Sequence, residues 1–297
     1  MKIKDSLSRR IFLATNIFII TVVTISCIIP IWNLFCMSLS DSAAVSNGSV
    51  GLWPIHFTTA AYNLVMHNGK FWGSIIVTIK RVGIGVVVNM LMIILAAYPL
   101  SKSDHTFKAR KYYIWIFIVT MLFSGGLIPT YIIVSKLHLI DTIWALILPG
   151  AVPVFNVVLL MNFFRSLPVE IEESALIDGA SQWKIMWKIY LPLSTPALAT
   201  ITLFVLLGHW NAWFDGLIYM NDPSHYPLQS YLQTTIANTT ASLLQSGNLQ
   251  DLIDKFKVSD KNLRAAQLFI SMIPILVVYP FLQKYFTTGI VMGSVKG

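Results

Sequence analysis

Charge is what this sequence has least of: 11% of its 297 residues are Asp, Glu, Lys or Arg, against about 25% in a soluble domain. With 56% hydrophobic residues and a mean hydropathy of +0.69, a soluble globular chain is excluded. Cysteine is nearly absent as well. Cys27 and Cys36 both fall in the first apolar run, which leaves no disulfide framework. The sequence has no G-x-x-x-x-G-K-[ST] phosphate loop, no H-E-x-x-H and no G-x-S-x-G, so ATP hydrolysis by phosphate-loop chemistry is excluded and no catalytic or metal-binding set is predicted. An intramembrane enzyme is the alternative from another class. Its only nearby candidates are His209 and Asp215, and six positions along one helix rotate them onto different faces.

Long uncharged stretches are what the chain has in place of charge. Residues 11–40, 82–101, 112–135, 142–164, 189–214 and 265–283 contain no Asp, Glu, Lys or Arg, and each is long enough for a bilayer core, which takes roughly 20 helical residues. Six spans return the chain to the side it started from. Sorting the 21 basic residues between those spans puts thirteen on the side of the N-terminus and six on the other, with Lys80 and Arg81 inside span two. Both termini are therefore predicted to be cytoplasmic. A pI near 9.4 invites a nucleic-acid reading, but the basic residues are scattered at span ends rather than gathered in a stripe, so no nucleic acid is expected. The first apolar run exceeds a signal-peptide core and lacks a small-residue cleavage site, so it is read as an uncleaved first helix. Apolar sequence continuing to Phe35 argues against a lipoprotein site at Ser26-Cys27.

The predicted organisation is a first helix with an external loop (1–70), five further spans (71–283) and a cytoplasmic tail (284–297). Trp53, Phe57, Tyr62, Phe71 and Trp72 give the loop an interfacial character. Lys80 and Arg81 must snorkel, pair or face water, and snorkelling near the helix end is the simpler expectation. Prolines such as Pro99, Pro129, Pro153, Pro192 and Pro196 within or at the ends of spans imply a packed bundle, because neighbouring helices or cavity water must satisfy the carbonyls they free. Residues 216–264 read as an external polar loop with one short helix.

A cytoplasmic stretch, 165–188, has a pattern of its own. Pro168 can open a helix whose start carries Glu170, Glu172 and Glu173, where carboxylates meet the positive end of the helix dipole. Ala175, Leu176 and Ile177 form an apolar patch. Gly179 interrupts helix propensity, and Trp183, Met186, Trp187 and Tyr190 then recur at helical spacing beside Lys184 and Lys188. Two short helices joined at a glycine, with an acidic tip and exposed aromatics, suit either a groove in a partner protein or a lipid surface.

Glu173-Ser174-Ala175, then Asp178-Gly179-Ala180, then Ile189-Tyr190-Leu191-Pro192 resemble the EAA motif of ABC importer permeases. Ser174 stands where the motif has Ala. The resemblance covers roughly residues 71–297 and its ending is similar to the tail of MalG-like carbohydrate permeases. Ser124 to Tyr131 and Gly208 to Phe214 look like the subgroup serving complex polysaccharide and oligosaccharide uptake. This implies an all-α membrane protein with six transmembrane helices, a type I ABC importer transmembrane domain whose coupling helix lies within 168–192. It also implies that Glu172, Glu173, Ser174, Ala175, Asp178, Gly179 and Ala180 form the ATPase-coupling surface. The implied partners are a second permease subunit, two copies of a P-loop ATPase that bind ATP and Mg, an extracytoplasmic sugar-binding lipoprotein, an oligosaccharide and the lipid membrane. No cofactor is expected in this chain.

A sugar path needs aromatic faces for rings and amides or carboxylates for hydroxyls. Asn156, Trp210, Asn211, Trp213 and Asp215 are the predicted path residues, with Asn89, Phe155, Asn162 and His209 also within spans. An aromatic belt is the default alternative for Trp210 and Trp213, and an interhelical hydrogen bond the simpler one for Asn156. A permease for a non-sugar solute is the nearer alternative, although no basic cluster for an anionic solute is evident and Lys80 and Arg81 leave uronate-bearing sugars open.

Overall fold

The computed structural model describes residues 6–242 and 260–293, and among these every regular element is helical. Helices α1 (Leu7–Ser38), α2 (Ser42–Ser46), α3 (Ala60–Met66), α4 (Gly69–Ser101), α5 (Arg110–Leu122) and α6 (Leu127–Lys136) lead into two 3-10 turns, Ile143–Leu146 and Leu148–Gly150. They are followed by α7 (Val154–Ser166), α8 (Val169–Ile177), α9 (Gln182–Ile185), a π-helical turn (Met186–Tyr190), α10 (Leu191–Leu193), α11 (Thr195–Asn211) and α12 (Phe214–Tyr219). The last two are α13 (Leu228–Ser242) and α14 (Asp260–Gly293).

Three helices are long and apolar enough to cross a membrane unbroken: α1, α4 and residues Lys261–Pro280 of α14. Three bent pairs reach the same length and hydropathy together: α5 with α6 at 114°, the 3-10 turns with α7 at 51°, and Gln182–Leu193 with α11 at 83°. Together they make up to six spans. Each break falls where the sequence carries glycine or proline. Gly126 adopts φ 86 between α5 and α6, Pro153 caps α7, and Pro196 opens α11, as expected of residues that supply a left-handed turn or lack an N–H.

The chain divides into two compact units. Among the described residues, one comprises 6–69, 234–242 and 260–273. In it α1 exposes Ile11, Phe12, Ile17, Phe18, Ile19 and Ile20, an apolar surface a soluble protein would not leave in water. Its loop folds back on the helix end: Trp32 Nε1 donates to the Leu52 carbonyl at 2.8 Å, Asn33 Nδ2 to the Gly51 carbonyl at 2.7 Å, and Tyr62 pairs with Ser38 at 2.8 Å. Trp53 and Phe57 are exposed, in keeping with an interfacial segment, whereas Tyr62 is engaged inside the loop.

The other unit comprises, among the described residues, 70–233 and 274–293. Its core joins Ile93 and Ala97 of α4, Val157, Leu160 and Phe164 of α7, Ala175 of α8, Ile185 and Met186 after Gly179, and Ala197 and Ile201 of α11. Between lipid-facing helices such contacts gain from close packing rather than from escape from water. Phe71, read from sequence as interfacial, is fully buried and packs edge-on against Tyr231 at 6.2 Å. The polar stretch after Asp215 is more helical than the expected single short helix, since it includes part of α12, all of α13 and the start of α14. Residues 243–259 of that loop and the last four residues of the predicted tail lie outside the described residues.

Candidate functional site

Two polar regions stand out in the second unit, one beyond the C-terminus of α4 and one beside its middle turns. The first lies beyond its C-terminus. Helix α8 closes in a Schellman arrangement: the Gly179 N–H donates to the Leu176 carbonyl at 3.0 Å and the Ala180 N–H to the Ala175 carbonyl at 2.9 Å. Gly179 holds φ 77, a conformation that costs a residue with a Cβ about 1–2 kcal/mol. Ser181 then caps α9 by accepting from the Lys184 N–H at 3.3 Å. Stop and restart are thus built into four consecutive residues.

Around this turn the predicted coupling residues separate by direction. Glu173, Ser174, Asp178 and Gly179 are exposed, Ala175 packs into the core, and Ala180 is half-buried. Glu172 points the other way. Its carboxylate accepts from Lys102 Nζ at 2.7 Å, from the Tyr190 hydroxyl at 2.5 Å and from Gln182 Nε2 at 3.4 Å. Lys102 lies 4.0 Å from the centre of the Tyr98 ring and 4.1 Å from that of Tyr190, an aromatic box for its ammonium. Burial works against the charged form of Glu172, yet the hydrogen bonds from Lys102 and Tyr190 hold its pKa below the ordinary value of 4.5. Burial lowers Lys102 from its ordinary 10.5. Of the predicted aromatic face, Trp183 and Trp187 are exposed while Met186 and Tyr190 are buried. A cavity of ≈ 480 Å³ opens beneath α8, lined among others by Lys102, Arg165, Glu172, Glu173 and Tyr190.

The second region surrounds Arg81, about 30 Å from Lys102 at 1.5 Å per residue along α4. Arg81 does not snorkel. It is 2% exposed, pairs with Asp215 through both carboxylate oxygens, and donates to the carbonyls of Leu146 at 3.2 Å and Ala212 at 3.4 Å. Its Nε faces His209 Nδ1 at 3.4 Å. The adjacent Lys80 is exposed. The sequence reading that separates His209 from Asp215 fails because α11 ends at Asn211 and α12 begins at Phe214. The break turns Asp215 back toward the same guanidinium. The imidazole lies against Gly85, where an added Cβ would collide with it.

A cavity of ≈ 440 Å³ adjoins this cluster, within the size range of small-molecule sites. Asn89, Asn156, Phe204, His209, Asp215 and Tyr219 are among its lining residues. Of the predicted path residues, Asn156 and Asp215 are brought together here. Trp210 is buried outside the lining, and Asn211 and Trp213 are exposed. Tyr219, which stacks on Tyr131 at 6.2 Å, and Phe204 are aromatic lining residues the sequence reading passed over; Tyr219 lies past the predicted span end. On the loops nearby, Asp141 Oδ1 accepts from the Asn221 N–H at 3.1 Å and contacts His225 Nδ1 at 3.0 Å.

Comparison with known proteins follows the same lines. The family described as "Binding-protein-dependent transport system inner membrane component" matches residues 6–292. Protein LplC of Bacillus subtilis is 38% identical over 97% of this chain and 96% of its own length. The Polygalacturonan/rhamnogalacturonan transport system permease protein YtcP of Bacillus subtilis is 36% identical over 91% of this chain and 93% of its own. Among solved structures, a chain from a bacterial ABC transporter involved in the import of the acidic polysaccharide alginate aligns with a TM-score of 0.84 and 34% identity, covering 96% of this chain and 100% of that one.

Proposed function

Because the chain belongs to the family of binding-protein-dependent transport system inner membrane components, we propose that it is a permease subunit of an ATP-driven importer that carries an oligosaccharide across the cytoplasmic membrane. The observation that carries this reading is the α8–Gly179–α9 element. It offers an exposed Glu173 close to the C-terminus of α4, and α4 leads from there to a polar cavity beside its middle turns. Such an arrangement can convert movement of a partner into rearrangement of a path. The relative named for polygalacturonan/rhamnogalacturonan transport, and the alginate importer, support an oligosaccharide as the solute.

Three kinds of partner follow from this reading: a second permease subunit, two copies of a P-loop ATPase that hold ATP and Mg, and an extracytoplasmic binding lipoprotein. Glu173, Ser174, Asp178, Gly179 and the α8–α9 turn would seat in the ATPase, with both termini cytoplasmic. Arg81 is neutralised by Asp215, so the cavity presents a paired charge and amides rather than a free cation. That suits hydroxyl-rich solutes.

The test is mild-detergent purification of the tagged chain from its native cells, with identification of co-purifying proteins, followed by uptake of labelled oligogalacturonides and arabino-oligosaccharides with and without the gene. Recovery of a second permease and a P-loop ATPase, with gene-dependent uptake, is expected. Recovery of the chain alone, under conditions where a known complex survives, refutes the reading.

A further inference from the structure

The buried end of α8 is tied to a helix that is remote in sequence. Lys102, one residue past α4, is 8% exposed, yet it is held by Glu172 of α8 across 70 residues of chain at 2.7 Å. The same carboxylate takes the Tyr190 hydroxyl at 2.5 Å, ahead of α10 and α11. Tyr98 of α4 closes the cluster by donating to Gln182 Oε1 of α9 at 2.6 Å. Glu172 thus joins three elements: α8, the end of α4, and the segment that leads into α11. Stranding either charge at this largely buried place is unfavourable, so the geometry favours the paired state.

The surrounding residues make this joint stiffer than an ordinary ion pair. The Lys102 ammonium is boxed by two aromatic rings, Tyr98 and Tyr190 meet edge-on at 5.1 Å, and Phe164 of α7 packs against both, at 6.2 Å and 5.5 Å. By contrast Glu173, the neighbouring acid, is exposed and free to meet a partner. From this division we infer that Glu172 and Lys102 are positioning residues for transport. They form a rigid joint through which displacement of α8 by the ATPase is passed directly into α4, and along it to Arg81 and Asn89 at the cavity. Glu173 and the α8–α9 turn receive the force, and Glu172 with Lys102 hands it on.

This rests on the proposed coupling role of α8, so the experiment separates the two. The assembled complex in lipid nanodiscs, with Cys27 and Cys36 replaced by serine, carries spin labels at exposed Ile79 on α4 and Leu137 after α6. Their distance distribution is measured before and after trapping with ATP and vanadate. The unaltered complex is expected to shift on trapping; if it does not, the coupling reading and this inference both fall. Glu172→Gln and Lys102→Met are expected to assemble and trap vanadate normally while the shift falls to less than half. The double variant should be no worse than either single one, as for two halves of one joint. A full shift in both single variants overturns the inference and leaves the coupling role of α8 standing. If the single variants fail to assemble, Tyr190→Phe decides: it removes one donor to Glu172 and keeps the ring. A reduced shift supports the joint, and an unchanged shift overturns it.

Discussion

At the scale of single residues, the buried Arg81–Asp215 pair is the strongest constraint. Removing one member of a buried pair strands the other and costs about 3–5 kcal/mol, whereas replacing both with apolar residues of similar size is often neutral. Arg81 is 3% and Asp215 26% exposed in their side chains, which places this pair toward the lower end of that cost. Arg81→Met or Asp215→Leu alone is therefore expected to lower the thermal transition of the purified complex, and the double variant to recover most of it. Equal loss in the double variant would show that the pair is not the coupled unit described. Gly85 makes a second case. A Cβ there would meet the His209 ring, so Gly85→Ala should destabilise by the 1–3 kcal/mol or so typical of overpacking, and His209→Ala in the same chain should relieve it. Nothing at Gly85 in the sequence marks it out, because glycine is common in membrane helices.

At the scale of elements, the α8–Gly179–α9 unit and the Asp141–His225 clip behave differently under perturbation. Gly179→Pro cannot hold φ 77 and loses the N–H to Leu176, while Glu173→Lys inverts an exposed charge. Both are expected to abolish uptake with membrane insertion intact, measured as protein in the membrane fraction against transport. Normal uptake by both would remove the coupling role from this element. On the loops, the hydrogen bond to Asp141 raises the His225 pKa above its ordinary 6.5, and the same bond holds Asp141 below its ordinary 3.8. A raised folded pKa means the contribution of His225 is fully present below about 6.5 and is lost as pH rises through the raised value. Hydrogen exchange at the Asn221 and Asp222 amides, which donate to Asp141, should therefore quicken beyond the intrinsic pH dependence once His225 deprotonates. No such excess in the unaltered chain relative to His225→Ala would refute the clip.

At the scale of the whole molecule, the prediction concerns topology. Thirteen of the 21 basic residues sort to the side of the N-terminus, so cysteines placed at Lys108 and Lys184 should resist an impermeant maleimide added outside intact cells and react once the membrane is opened. Labelling from outside would invert the assignment and with it the side on which the proposed ATPase partner would dock. The spans themselves were legible as uncharged stretches, and 82–101 lies wholly within α4. Their breaks were legible only as proline and glycine positions, because sequence shows where a helix can bend but not by how much. Bends of 51°, 83° and 114° depend on what the two halves pack against.

Residence in a bilayer, a helical fold and the glycine-centred turn at Gly179 were determined by the sequence alone. Hydration of charge and the sterics of φ act on each residue and its immediate neighbours, and so can be read along the chain. The tertiary structure alone decided that Arg81 is paired rather than snorkelling, that Glu172 turns inward while Glu173 faces out, and that Asn156 and Asp215 share a cavity while Asn211 and Trp213 do not. Those outcomes depend on partners 134 and 70 residues away. A buried charge takes whichever partner the packing of distant helices brings within reach, and no local rule names it.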